Sequence, residues 1–183
     1  MPALTYCPQC KKPLAEREDG GRPRLVCPDA ACGYVYYDNP VPVVAALVEH
    51  EGDIILTQSK GWPADWFGLV AGFLENGETP EDGVLREVEE ELGLQGEIVE
   101  RIGIYSFFRK NQLILAYHVR AEGDVVLGDE LAAVKRVPPE KLEPWPYGTG
   151  DAVRDWLARR GDGSVGSMGG VGRGVAEREG KNR

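Results

Sequence analysis

The chain has 183 residues, enough for one ordinary domain with small additions. Hydrophobic residues make up 42% of it, which supports a sizeable core, and 21 Lys and Arg against 30 Asp and Glu leave a formal charge of -9. A balance this acidic argues against general nucleic-acid binding, which needs a basic footprint, but not against a small phosphorylated ligand, because a bound divalent cation reverses the local field.

The N-terminus carries no apolar run of signal-peptide type, and the longest apolar stretch, Val41 to Val48, is far too short to cross a bilayer. The expectation is a soluble cytoplasmic protein. All four cysteines lie in the first 32 residues, as Cys7-x2-Cys10, sixteen intervening residues, then Cys27-x4-Cys32. Two close pairs of thiolates on turns can supply four ligands to one zinc ion, and four protein ligands leave no open position for water, so such a site is structural. The competing reading is a disulfide framework, which requires an oxidising compartment. Residues 1–38 are expected to form a small zinc ribbon-like segment.

Pro40 and Pro42 mark the boundary to the main domain, expected over residues 39–160. Val41 to Val48 reads as a buried strand, Glu49 to Asp53 as a polar turn, and Ile54 to Thr57 as the returning strand. Trp66 to Ala71 reads as a further strand ending in Gly72. The main helix is well signed: Thr79 fits the N-cap, Pro80 the first helical position, and Glu81 and Asp82 the first turn. Val84, Leu85, Val88 and Leu92 form its apolar stripe and Gly93 stops it. Two strands are expected next, Gly96 to Phe108 and Leu113 to Ala121, joined by a turn at Lys110-Asn111, and a shorter one from Leu131 to Val137. Asp151 to Arg160 forms the last helix, with Val153, Trp156 and Leu157 inward and Gly161 ending it. From Gly161 to Arg183 glycine and charge dominate, and a disordered tail is expected.

On the main helix Glu87, Glu90 and Glu91 sit at i, i+3 and i+4, on one face about 100° wide. Like charges at these spacings cost roughly 0.2–0.5 kcal/mol per pair. Arg86 can pair with Glu90 four residues on, whereas Glu87 and Glu91 have no such basic neighbour. A solvated glutamate-rich face would explain three glutamates alone. Their surroundings are more specific: Gly72, then Glu78, then Arg86-Glu87-Val88-Glu89-Glu90-Glu91-Leu92-Gly93-Leu94. Every fixed position of the Nudix box, Gly-x5-Glu-x7-Arg-Glu-aliphatic-x-Glu-Glu-x-Gly-aliphatic, is present, and over about Val41 to Arg160 the sequence resembles the Nudix hydrolases.

That resemblance implies an α+β fold, an α/β/α sandwich around a mixed sheet, here preceded by the small zinc ribbon. It implies hydrolysis of the pyrophosphate bond in nucleoside diphosphate conjugates with magnesium or manganese. Glu87, Glu90 and Glu91 would bind the metal together with the Gly72 carbonyl, Arg86 would hold the carboxylates by an ion pair, and Glu78 would add an outer-sphere contact. The general base would be a box glutamate or a downstream acid, with Glu130 in the expected kind of loop. Hard cations with oxygen ligands suit this chemistry, because they neutralise pyrophosphate oxygens and acidify a bound water.

A cysteine ribbon before a Nudix core resembles the NADH pyrophosphatase group, in which dimers are usual, so a homodimer is an expectation here. That group carries a Ser-Gln-Pro-Trp-Pro-Phe-Pro-x-Ser array after the box, where this chain has Ile104 to Gln112, so the sequence looks more like ribbon-bearing relatives that act on ADP-ribose or FAD. An ADP-ribose-like substrate, which needs the fewest specific contacts, is preferred, with NADH or FAD as the alternative. Glu143-Pro144-Trp145-Pro146-Tyr147 falls too late for the array and is expected to shape the entrance to the last helix. Trp62, Trp66, Tyr105, Phe107 and Phe108 are candidates for stacking on a base, although core packing explains any one of them. Arg109 and Lys110 are candidate phosphate contacts. Phe107 and Phe108 would point to opposite faces of a strand, so at most one should reach a ligand. A non-catalytic nucleotide-sensing module is the competing class, but it would be signalled by degenerate box glutamates. The expected partner is a small nucleotide conjugate, with no nucleic acid and no membrane.

Overall fold

The computed structural model describes residues 4–161. Two sheets divide them. The first is a small antiparallel sheet, β1 (Ala15–Asp19), β2 (Arg22–Val26) and β3 (Val35–Tyr36), in the order β1-β2-β3. β1 and β2 lie between the two cysteine pairs and turn at Gly20-Gly21, both at positive φ, while β3 follows the second pair.

The second sheet is mixed. It comprises β4 (Val41–His50), β5 (Asp53–Ser59), β6 (Val70–Phe73), β7 (Gln95–Phe107), β8 (Gln112–Glu122) and β9 (Leu131–Val137). The order is β7-β8-β4-β5-β9, with β6 also paired to β4. Only β4 and β8 run parallel; the other pairings are antiparallel. One edge of β4 serves two partners, β6 along Val43–Ala46 and β5 along Val48–His50. β4 is a continuous apolar run because both of its faces are covered. Val44, Ala46 and Val48 pack with Val84, Val88 and Leu92 of α1 (Pro80–Leu92). Val43, Ala45 and Leu47 pack with Ala152, Val153 and Trp156 of α2 (Gly150–Gly161). The fold is therefore a mixed sheet flanked by helices, with a cysteine cluster at its N-terminal end. No helix among the described residues is long and apolar enough to cross a membrane.

Several boundaries differ from the sequence reading. The turn between β4 and β5 is only Glu51-Gly52, both at positive φ, as a tight hairpin requires. The strand expected from Trp66 begins at Val70 instead. Buried Gln58 explains the difference: its Nε2 donates to the Pro63 and Trp66 carbonyls, which holds this segment as a turn. Phe108 leaves β7 for a 3-10 turn over Phe108–Lys110, which Asn111 closes in the left-handed region. The last helix begins one residue early, at Gly150, and Gly161, expected to end it, is its last residue. The remainder of the expected disordered tail, residues 162–183, lies outside the described residues.

Candidate active site

The site is built where β6 meets α1. Thr79 caps the helix through its hydroxyl, which accepts from the Asp82 N–H at 3.1 Å, and Gly93 ends it at φ 68°. Before the helix, the loop Leu74–Glu78 folds back onto buried Gly83. A Cβ at Gly83 would stand 2.8 Å from Glu78 Oε1 and 3.0 Å from Leu74 Cδ1. Glycine inside a helix costs about 1 kcal/mol relative to alanine, and here that cost allows the loop to bring Glu78 against the helix.

Arg86 organises the carboxylates. Its Nε and Nη2 donate to the two oxygens of Glu78 at 3.0 and 2.9 Å, while Nη1 donates to Glu87 at 2.7 Å and Glu90 at 2.9 Å. Nη2 also donates to the Phe73 carbonyl at 3.1 Å. All five guanidinium N–H groups thus have an acceptor, a use only arginine's planar fork permits. The expectation that Glu87 lacks a basic neighbour is corrected: the guanidinium reaches under the helix to β6, where Glu87 also points. Arg86 holds the Glu78 carboxyl down at about 2, helped by the Glu75 N–H.

Glu91 has no such partner. Its Oε1 accepts from the Ala71 N–H at 3.4 Å, and its buried Oε2 has no hydrogen-bond partner among the described residues. Burial pushes the Glu91 carboxyl up to about 7, and the nearby charges of Glu87 and Glu130 push the same way. Burial likewise raises Glu87, against the pull of Arg86. Buried polar atoms are almost always satisfied, so an orphaned carboxylate oxygen beside two further carboxylates marks a place suited to a cation. Gly72 supports that fit: a Cβ there would lie 2.0 Å from Glu87 Oε1, so only glycine lets the strand approach the carboxylate. The groups offered here, the Glu87, Glu90 and Glu91 carboxylates and the Gly72 carbonyl, are all oxygen donors, the type a hard divalent cation takes, although they are not gathered as closely as the four cysteine sulfurs.

Glu130, the downstream acid named from the sequence, lies near enough for its charge to act on Glu87 and Glu91, and backbone contacts the sequence did not reveal hold its loop. Val126 and Gly128 N–H groups donate to the Leu92 and Glu91 carbonyls at 2.8 and 2.9 Å, docking the loop on the end of α1. A Cβ on Gly128 would stand 2.3 Å from the Glu90 carbonyl oxygen. The Glu130 carbonyl then accepts from the Lys60 N–H at 2.8 Å, tying it to the segment that leads into β6.

The proposed ring-binding residues separate. Trp66 is 48% exposed in the loop before β6, while Trp62 lies over Gly68. Tyr105 packs against the α2 side of the core and donates its hydroxyl to Asp155 at 2.8 Å. Phe107 packs against the same core beside Gly148, and Phe108 is 89% exposed. Arg109 and Lys110 sit in the exposed 3-10 turn, away from the carboxylates in sequence and element.

At the other end of the chain the four cysteine sulfurs lie within 4.8 Å of one another. Among the described residues they are the one group of metal-ligating side chains gathered so closely. Cys7 and Cys32 are 3.6 Å apart and Cys10 and Cys27 3.4 Å, all free thiols. Sulfurs bound tetrahedrally to zinc stand about 3.8 Å apart, so the cluster suggests a structural metal site. Lys12 and Asp29, one from each turn, pair across it at 2.7 Å.

Comparison with known proteins agrees with this geometry. The NUDIX domain model matches residues 38–157. The NAD-capped RNA hydrolase NudC of Chromobacterium violaceum is 33% identical over 119 residues, covering 64% of this chain and 43% of that protein. NudC of Stutzerimonas stutzeri is 30% identical over 122 residues, covering 66% and 43%. The chain thus spans less than half the length of these curated relatives. A crystal structure of a NUDIX hydrolase from Nitrosomonas europaea superposes with a TM-score of 0.72 at 27% identity, covering 87% of this chain and 94% of that one. An ADP-ribose pyrophosphatase from Streptococcus suis, at 20% identity and TM-score 0.57, covering 70% and 96%, shares the fold. These relatives correct one expectation. Proteins named for hydrolysis of NAD-capped RNA act on an RNA-linked substrate, so the exclusion of nucleic acid drawn from the acidic balance does not stand. Net charge averages over the whole surface, whereas an RNA 5′ end needs only a local site. With the box in place from Gly72 to Leu94 and the sheet flanked by its two helices, this chain belongs to the NUDIX domain family.

Proposed function

We propose that the chain is a divalent-metal-dependent hydrolase of the pyrophosphate bond in nucleoside diphosphate conjugates, with an ADP-ribose-like substrate preferred. The observation that carries this reading is the buried, unpartnered Glu91 oxygen beside Glu87 and Gly72. Glu87, Glu90, Glu91 and the Gly72 carbonyl would hold magnesium or manganese, which when bound neutralises phosphate oxygens and acidifies water. Arg86 keeps Glu87 and Glu90 fixed in the absence of substrate. Glu130, whose backbone carbonyl is held by the Lys60 N–H, would accept the proton of the attacking water. Attack of that water on phosphorus breaks the P–O–P bridge and gives two phosphomonoesters, AMP among them when the base is adenine. Zinc would be held by Cys7, Cys10, Cys27 and Cys32 as a structural ion.

The preference for ADP-ribose rests on the missing array between Ile104 and Gln112. NADH, FAD and NAD-capped RNA form the second reading, favoured by the identity to the NudC proteins. One panel decides between them: kcat/KM for ADP-ribose, NADH, FAD and an NAD-capped oligoribonucleotide at one magnesium concentration, since that ratio measures transition-state discrimination. ADP-ribose is expected to lead; a strong preference for NADH or the capped RNA would overturn the preference and leave the reaction class standing.

A further inference from the structure

Two large aromatic side chains far apart in sequence meet at the surface. Trp66 and Tyr147 have ring centroids 6.0 Å apart, inclined at 46°, and are 48% and 41% exposed. Single exposed aromatics are ordinary, but this pair is held by two fixed turns. Gln58, itself buried, accepts no role on the surface and spends its amide on the Pro63 and Trp66 carbonyls, fixing the Trp66 backbone. On the other side the Gly150 N–H donates to the Tyr147 carbonyl at 3.1 Å, and a Cβ on Gly150 would lie 1.8 Å from the Trp145 carbonyl oxygen. The turn before α2 therefore closes only with glycine there, and that closure presents Tyr147 to Trp66.

The pair is also connected to the carboxylates. The Trp66 turn begins at Lys60, whose N–H holds the Glu130 carbonyl, and runs directly into β6 and Gly72. Six residues from Trp66 to Gly72 span at most about 20 Å when fully extended, within reach of one extended nucleotide conjugate. We propose that Trp66 and Tyr147 form the ring-binding subsite for the planar base of the substrate, a reading that rests on the hydrolysis of nucleotide conjugates proposed above. The two rings are inclined to each other and each is partly exposed. A ring lying between two others needs about 7 Å, twice a carbon contact distance of about 3.5 Å, so Tyr147 must move outward by about 1 Å and turn toward parallel with Trp66, a fast side-chain motion at an exposed site. Tyr147 then sets which conjugates bind, and the contact comes from a loop that lies outside both the box and the Ile104–Gln112 region.

The test measures binding without turnover, by calorimetry on the full chain with AMP and, as a ligand lacking the ring, ribose 5-phosphate. Tyr147→Ala and Trp66→Ala are each expected to weaken AMP about 5- to 100-fold, the range of one base-stacking contact. Ribose 5-phosphate should change by less than about twofold, and Tyr147→Phe should retain AMP affinity, because the stacking surface is kept. Unchanged AMP affinity in Tyr147→Ala, an equal loss for both ligands, or no AMP binding by the parent would overturn the subsite. The hydrolase reading is tested separately by turnover of box variants, so the two can fail independently.

Discussion

At the scale of single residues, Arg86 and Glu91 divide the work of the site. Arg86 spreads one positive charge over three carboxylates, and half-buried Glu91 is left without a counterion, its buried Oε2 unpartnered among the described residues. Its carboxyl is raised from an ordinary 4.5 to about 7. In metal-free protein, the folded chain keeps that proton over a range where the unfolded chain has lost it. Stability from this group is therefore fully present below about 4.5 and lost as pH rises through about 7. Glu91→Gln removes the charge and keeps the shape. Thermal unfolding in chelator should find it more stable than the parent at pH 8, by about 1–3 kcal/mol, with the gap closing toward pH 5. A gap that does not vary with pH would place the parent's carboxyl in an ordinary environment. The spacing of Glu87, Glu90 and Glu91 was legible in the sequence as a shared helix face. The fivefold donation by Arg86, the Ala71 contact and the link from Lys60 to Glu130 were not, because each depends on contacts between elements.

At the scale of elements, the main helix was legible to the residue. Thr79, Pro80 and Gly93 are local signals, and local signals survive folding. β6 was less legible: Trp66 and Phe67 are strand formers, but Gln58 captures the Trp66 carbonyl and the Pro63 carbonyl just before it. Propensity yields wherever tertiary hydrogen bonds compete with it. Gly83 makes the same point inside the helix. By propensity alone, Gly83→Ala should stabilise by about 1 kcal/mol. With Glu78 Oε1 at 2.8 Å and Leu74 Cδ1 at 3.0 Å from the new methyl, it should instead destabilise, by roughly 1–3 kcal/mol, and loosen the Glu78–Arg86 pair. Denaturant unfolding measures the sign directly, and a stabilised variant would show that the loop moves aside freely.

At the scale of the whole molecule, a sandwich built on one two-faced strand is joined to a small sheet with little core of its own. Of the small sheet's own strands only Val26 is buried, together with Cys7 and Cys27 beside it. A unit of this size needs a staple, and four clustered thiols offer one. Metal analysis of protein purified without added zinc should find about one zinc per chain. Cys7→Ser should lower that content and expose residues before β4 to hydrogen exchange, ahead of any loss in the main sheet. Four titratable thiols with no bound metal would refute the site. The cysteine spacing made the cluster legible in the sequence. The partner class was not, since a net charge of -9 says nothing about one local surface.

The central claim is that the box carboxylates, through the cation they hold, break a phosphoanhydride bond. Its most direct test is the initial rate of AMP release from ADP-ribose with magnesium, for the parent and for Glu90→Gln and Glu91→Gln, each shown to be folded. The account predicts magnesium-dependent release by the parent and a loss of at least about a hundredfold in both variants, as expected when a charge acting on the transition state is removed. Near-normal release by both variants would contradict it.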